Sequence, residues 1–315
     1  MSRQANVERN RLSGVLAPVL TPFDQESEPD FPAFLAHCRW LLDNGAGLAI
    51  FGTNSEAASL STDERIALTD GLIEAGIPAD RLMPGTGACS VKDAIRLTRH
   101  AVQSGAAGVL MLPPFYFKNV SEEGILSYYA EVIDAVAEPN LAIYLYHIPQ
   151  LTQVPITLSL IERLLKRYPR AIAGAKDSSG DWANSRAMIE NFAEEGFDVF
   201  PASEIFLSDA LSIGGAGCIS ATVNINPAAI SSLFRALSGD QPSHQTRPLQ
   251  AQVDEVRRTF QSFELIPAMK SALAHYTGKT TWKIVRPPLT PLSQSAHADL
   301  LKKLASLKFE MPVAQ

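Results

Sequence analysis

The sequence predicts an α/β fold, a (β/α)8 barrel with a C-terminal helical extension. Three observations carry the expectation. Eight short apolar runs alternate with longer amphipathic stretches, the signature of parallel strands joined by helical crossovers. The runs are almost continuously apolar, as strands covered on both faces are. The first run is followed by Thr21-Pro22-Phe23-Asp24, not by the Gly-rich turn of a doubly wound dinucleotide-binding sheet.

The runs are 14–20, 48–51, 82–86, 108–112, 141–146, 171–176, 199–202 and 217–220. Between and after them, apolar residues recur three and four apart over 31–43, 62–74, 91–104, 122–136, 157–167, 183–194, 204–213 and 227–237, the helical period. Leu160, Leu164 and Leu165 show that period clearly. Ser61 and Thr62 before Glu64 read as a helix start, and Ser121 before Glu122 and Glu123 places acidic groups at a positive helix end. Gly105, Gly108, Gly196, Gly214, Gly215 and Gly217 fall where helices give way to strands. From about Ser238 no strand-like run remains. Helical patterns cover 248–263, 266–276 and 295–307, with a Pro-rich linker over 285–292. The expected division is therefore a barrel over 1–237 and a helical extension over 238–315.

Of 315 residues, 46% are hydrophobic and 19% charged, enough for a large core. A net charge of -6 without long Lys/Arg runs excludes an ordinary nucleic-acid binder. The three cysteines, Cys38, Cys89 and Cys218, lack CxxC spacing and read as thiols of a reducing compartment. Residues 1–12 are polar, without the apolar core of an export signal, and no run is long enough to span a membrane. A cytoplasmic location is expected. The histidines are dispersed and no HExxH occurs, so neither a metal nor a cofactor is expected.

In a barrel, chemistry gathers at the C-terminal ends of the strands. Lys176 ends the run Ala171-Ile172-Ala173-Gly174-Ala175, and simple alternation puts Ile172, Gly174 and Lys176 on one face, with Gly174 leaving room beside the lysine stem. Desolvation disfavours an ammonium, so an interior lysine amine can attack a ketone and form an iminium electron sink. The plain alternative is a lysine that caps a strand and points at solvent. Tyr146 ends the preceding strand, where a phenol could pass protons. A buried aromatic satisfied by backbone is its alternative. Gly52-Thr53-Asn54-Ser55-Glu56 is a small-residue turn whose N–H groups suit a carboxylate, or else simply a polar turn. The aromatics of Pro113-Pro114-Phe115-Tyr116-Phe117 offer a contact surface or a site wall, or pack between loop and helix. His147 reads as a structural hydrogen-bonding residue.

Together these pieces resemble the dihydrodipicolinate synthase / N-acetylneuraminate lyase family of class I aldolases, over about 14–227. Gly52-Thr53-Asn54-Ser55-Glu56, with Leu60 and Glu64 after it, looks like the family's first signature. Tyr146-His147-Ile148-Pro149 is similar to its Tyr-Asn-x-Pro, and Gly174-Ala175-Lys176-Asp177-Ser178 to its Gly-x-Lys-Asp/Glu-Ser. The run from Gly214 to Ser220 looks like its glycine-rich eighth strand.

The resemblance implies a barrel enzyme with a Schiff base between Lys176 and pyruvate or another 2-oxo acid. It implies that Tyr146 transfers protons and that Thr53 links Tyr146 to a tyrosine of a neighbouring subunit, Tyr116 being the matching position. It implies that the Thr53 and Asn54 N–H groups hold the substrate carboxylate, that Ile219 lines the pyruvate pocket through its backbone, and that the assembly is a homotetramer built from tight dimers. Ser178, Ser203 and Glu204 are the polar candidates for gripping the distal part of the substrate. Three departures stand out: Ser55 for the usual glycine, His147 for the usual asparagine, and Leu151 where lysine-pathway synthases place a carboxylate-binding arginine. An aliphatic chain cannot make that bidentate contact. The expected reaction is cleavage or formation of a C–C bond to pyruvate, with a 4-hydroxy-2-oxo acid or 2-keto-3-deoxy sugar acid as the partner compound. Schiff-base dehydration or deamination of a 2-oxo acid is the runner-up, and a non-catalytic ligand-binding barrel is the reading from another class.

Overall fold

The computed structural model describes residues 11–239 and 242–311. The polar stretch read above as lacking an export signal lies, up to residue 10, outside the described residues. Among the described residues, seven strands form parallel ladders: β1 (Gly14–Ala17), β2 (Gly47–Leu48), β3 (Val109–Met111), β4 (Ile143–His147), β5 (Ile172–Asp177), β6 (Asp198–Pro201) and β7 (Gly217–Ile219). β1 pairs with β2 and β7, and β3 through β6 pair in sequence order. The expected strand 82–86 is narrower than a ladder but fills its place. Leu48 bridges Leu82, and Gly85 bridges Leu110. Gly85 N–H donates to Ile50 O at 2.7 Å, and Thr86 N–H to Leu110 O at 2.9 Å. On the other side, Ala216 N–H donates to Val199 O at 3.0 Å and joins β6 to β7. The ring is thereby closed, a (β/α)8 barrel with a C-terminal helical extension.

The crossovers follow from local chemistry. α1 (Phe31–Asp43) starts where Asp30 accepts from Ala33 N–H, and α2 (Thr62–Glu74) carries a full capping box between Ser61 and Glu64. α3 (Val91–Gln103) and α4 (Glu122–Val136) are capped by Ser90 and Ser121. A short helix that the periodicity does not reveal, α5 (Pro149–Thr152), interrupts the loop after β4. α6 (Leu158–Arg167), capped by Thr157, α7 (Trp182–Phe192), α8 (Leu207–Ser212) and α9 (Pro227–Ser238) complete the outer layer. The extension is α10 (Ser243–Gln261), α11 (Leu265–Thr277) and α12 (Gln294–Ser306). α10 begins upstream of the expected start at Pro248, which lies inside the helix.

Side chains of Leu16, Met83, Leu110, Tyr144, Phe200 and Ile219 fill the barrel interior. A larger apolar layer outside it includes Phe34 and Trp40 of α1 together with Phe260 and Met269 of the extension, so the extension completes the outer core. One expectation about β5 fails. The register slips between Ile143 and Tyr144, which face Ile172 and Gly174, so β5 carries one extra residue there. Ile172 consequently packs in the outer layer with Ile143 and Leu145, and the bulge turns the residues after it, Lys176 among them, back to the inside. Gly174 does not make room for the lysine stem either. A Cβ there would meet Asp198 O at 2.1 Å and the Tyr144 ring at 2.9 Å, so the glycine permits close approach of β6.

His37, on α1, sits between the rings of Trp40 and Trp282 and donates through Nε2 to Asn224 Oδ1 at 3.1 Å. Burial, partly offset by the Asn224 contact, pushes its imidazole down to about 4. The unfolded chain binds that proton near pH 6.5 and the folded chain does not until near pH 4. Stability is therefore lost as pH falls through this window. Acidification from pH 7 to 4 is expected to remove roughly 3 kcal/mol through His37 alone. Urea unfolding of the wild type and of His37→Gln measures it; equal slopes with pH in the two proteins would refute the assignment.

Candidate active site

β4 and β5 are in register at their C-terminal ends, with Tyr146 opposite Lys176 and His147 opposite Asp177. That pairing sets a phenol beside an amine at the mouth of the barrel. Lys176 Nζ lies 3.2 Å from Tyr146 OH and 4.3 Å from the ring centroid. Both residues are buried, at 1% and 2% exposure. Thr53 Oγ1 sits 3.0 Å from the same phenol oxygen. Burial pushes the Tyr146 phenol up, but the positive charge of Lys176 and hydrogen bonds from Thr53, Lys176 and Ser178 together outweigh it. The net result is a phenol below its ordinary range, as suits a group that exchanges protons.

The loop that supplies Thr53 is held from behind. Glu56 adopts a left-handed backbone (φ 56°), and its buried carboxylate accepts from Lys270 Nζ on α11 and from Arg286 N–H. Arg286 also donates to Ser27 O and Ser59 O, each at 2.8 Å. Burial pulls the Lys270 ammonium down to about 8 despite its acidic partner. Asp177, directly after the lysine, is held by Ser185 Oγ at 2.6 Å, Asn184 Nδ2 at 3.0 Å and Ser179 N–H at 2.9 Å. The hydrogen-bonded carboxylate fixes the turn that follows β5.

Thr53, Tyr146, Lys176 and Asp177 border a cavity of about 560 Å³. Of the residues singled out in the sequence, Thr53, Asn54, Tyr146, Lys176, Ser178, Ser203 and Ile219 line it. Glu204 does not. It is fully buried, its two carboxylate oxygens taken by the hydroxyls of Ser220 and Thr222, so it braces the wall rather than facing the cavity. Tyr116 is also elsewhere, 74% exposed and edge-on to Phe117. His147 accepts the Ile156 N–H at Nδ1, 3.0 Å away, and burial outweighs Asp177 in pushing its imidazole down. That is a structural position. Ser55 is fully buried with its hydroxyl unpaired among the described residues, and its carbonyl accepts from Thr21 Oγ1 at 2.8 Å.

Sequence reasoning missed the part of the wall that comes from the extension. Arg257 and Gln261 of α10, Glu264 before α11, and the stretch Pro288, Leu289 and Thr290 all border the cavity. Nothing local marks them, because a polar residue on an amphipathic helix reads the same whether it faces water or a cavity. Leu151, from the short α5, lines the cavity as an apolar group.

The fold and this site define a barrel enzyme, a lyase of the class I aldolase type. The chain belongs to the dihydrodipicolinate synthetase family, whose model matches residues 11–307. It is 34% identical to an uncharacterized DapA-like lyase of Chloroflexus aurantiacus, covering 91% of this chain and 94% of that protein. It is 32% identical to a 4-hydroxy-tetrahydrodipicolinate synthase of Methanococcoides burtonii, covering 94% and 99%. Among solved structures, it superposes with a TM-score of 0.84 and 29% identity on YagE, a prophage protein of the same family from E. coli K12 crystallised with pyruvate, covering 94% of this chain and 99% of that one. No helix among the described residues is long and apolar enough to cross a membrane.

Proposed function

We propose that the enzyme cleaves or forms a C–C bond between pyruvate, or a related 2-oxo acid, and an aldehyde, through a Schiff base on Lys176. The observation that carries this reading is the buried Lys176–Tyr146 contact of 3.2 Å, with Thr53 3.0 Å from the phenol. The amine attacks the substrate ketone, and loss of water leaves an iminium. In the cleavage direction, a base removes the C4 hydroxyl proton and the C3–C4 bond breaks. Its electron pair moves into the iminium to give an enamine, and the aldehyde departs. Protonation of C3 and hydrolysis then release pyruvate. Tyr146 is the proton carrier, since its depressed phenol releases and regains a proton more readily than a free one. The N–H groups of Thr53 and Asn54 hold the substrate carboxylate, Ile219 borders the pyruvate end through its backbone, and Ser178 and Ser203 meet the distal end.

The exposed Tyr116, Phe117 and Val120 suit a subunit contact. In the assembly we favour, a homotetramer of tight dimers in the cytoplasm, Tyr116 of one subunit extends the Thr53–Tyr146 pair of its neighbour. Borohydride reduction with pyruvate, followed by peptide mass spectrometry, tests the central step. A reduced pyruvate adduct on Lys176 is expected. An unmodified Lys176 peptide under saturating pyruvate would end the proposal and favour a ligand-binding barrel.

A further inference from the structure

Arg257 borders the cavity as a buried cation to which the proposed chemistry gives no task. Its side chain projects from α10, is only 7% exposed, and borders the cavity that holds Lys176. Its polar contact is a long one, Nη1 to Ser220 Oγ at 3.5 Å. Ser220 spends its own proton on Glu204, so the acid is one hydroxyl removed from the guanidinium. Arg257 Nε is sealed from solvent and, among the described residues, has no hydrogen-bond partner. Among the described residues no carboxylate forms an ion pair with Arg257, whereas the next residue, Arg258, has Asp254 Oδ2 at 3.2 Å. Glu264 lines the same cavity.

A guanidinium taken out of water without a counter-charge is unfavourable unless something else supplies the charge. Its planar fork matches the two oxygens of a carboxylate or a phosphate. Ile205, Phe206 and Ile266 line the same cavity as apolar groups, and an apolar wall strengthens a charged contact made against it. We infer that Arg257 is the specificity-determining residue for the far end of the substrate, and that the enzyme selects 2-oxo acids bearing a second anionic terminus. The inference rests on the Schiff-base reading and names its substrate class.

Competition for Lys176 tests it without requiring that any bond be cleaved. Labelled pyruvate is trapped with borohydride in the presence of 2-oxo acids that differ only at the far end: carboxylate, phosphate ester or hydroxymethyl. In the wild type, at least one anionic terminus is expected to block labelling at roughly 10- to 100-fold lower concentration than the neutral one. Arg257→Gln should collapse that ratio towards unity, and Arg257→Lys, which keeps the charge but loses the fork, should restore part of it. A wild type that treats all three alike, or an Arg257→Gln protein that keeps the full ratio, overturns the inference while a pyruvate adduct leaves the Schiff-base reading standing. If no adduct forms even without competitor, both fall. Should Arg257→Gln fail to fold, the wild-type ratio and the lysine variant decide.

Discussion

Lys176→Ala is expected to abolish turnover while the barrel stays folded. The substitution removes the nucleophile, so no iminium forms and no electron sink exists for the bond that must break. It has a second effect. The charge of Lys176 is the main influence pulling the Tyr146 phenol down against the burial that raises it. Without the amine, that phenol should titrate higher, visible as a rise in the midpoint of its ultraviolet difference spectrum. Far-ultraviolet circular dichroism and thermal unfolding establish that the fold survives. A folded Lys176→Ala protein that retained normal rates would remove the mechanism altogether.

Tyr146→Phe should be the second most damaging change, costing roughly 10²- to 10⁴-fold in kcat. The ring remains to fill the barrel mouth, so stability should change little beyond loss of the hydrogen bonds to Thr53 and Lys176. Lys176 keeps its position on β5, and pyruvate should still be trapped there, although more slowly. The combination of a surviving adduct and a collapsed turnover separates a proton carrier from a packing residue. A loss of less than about tenfold in kcat would assign the proton to some other group.

Much of this was legible in the chain. Alternating apolar runs gave the closed ring because strand and helix periods are local properties, and Ser61, Ser121 and Thr157 mark helix starts through short-range hydrogen bonds. Strand-end placement brought Lys176, Tyr146 and Thr53 into one expected site. The misreading of Ile172 on β5 arises because parity counting assumes one residue per step and the bulge adds one, whereas Gly174 was misread because the close approach of β6 is a tertiary contact. Glu204 was a polar candidate for gripping the distal part of the substrate, and the structure buries it instead. Its actual partners, Ser220 and Thr222, lie beyond the next strand, out of reach of local pattern. Arg257 is the larger omission, and for the same reason. Its neighbours in sequence are an ordinary helix, and only tertiary packing turns that helix towards the cavity.

The salt bridge between Glu56 and Lys270 links positions 214 residues apart. During synthesis, the loop that carries Thr53 leaves the ribosome long before its electrostatic anchor does. A nascent barrel lacking α11 would hold an acidic side chain in an apolar setting with no cation to answer it. The catalytic loop is therefore secured only once α11 has been made, and a fragment ending between Ile219 and Lys270 carries the residues proposed for the chemistry without this ion pair to brace the loop that bears Thr53.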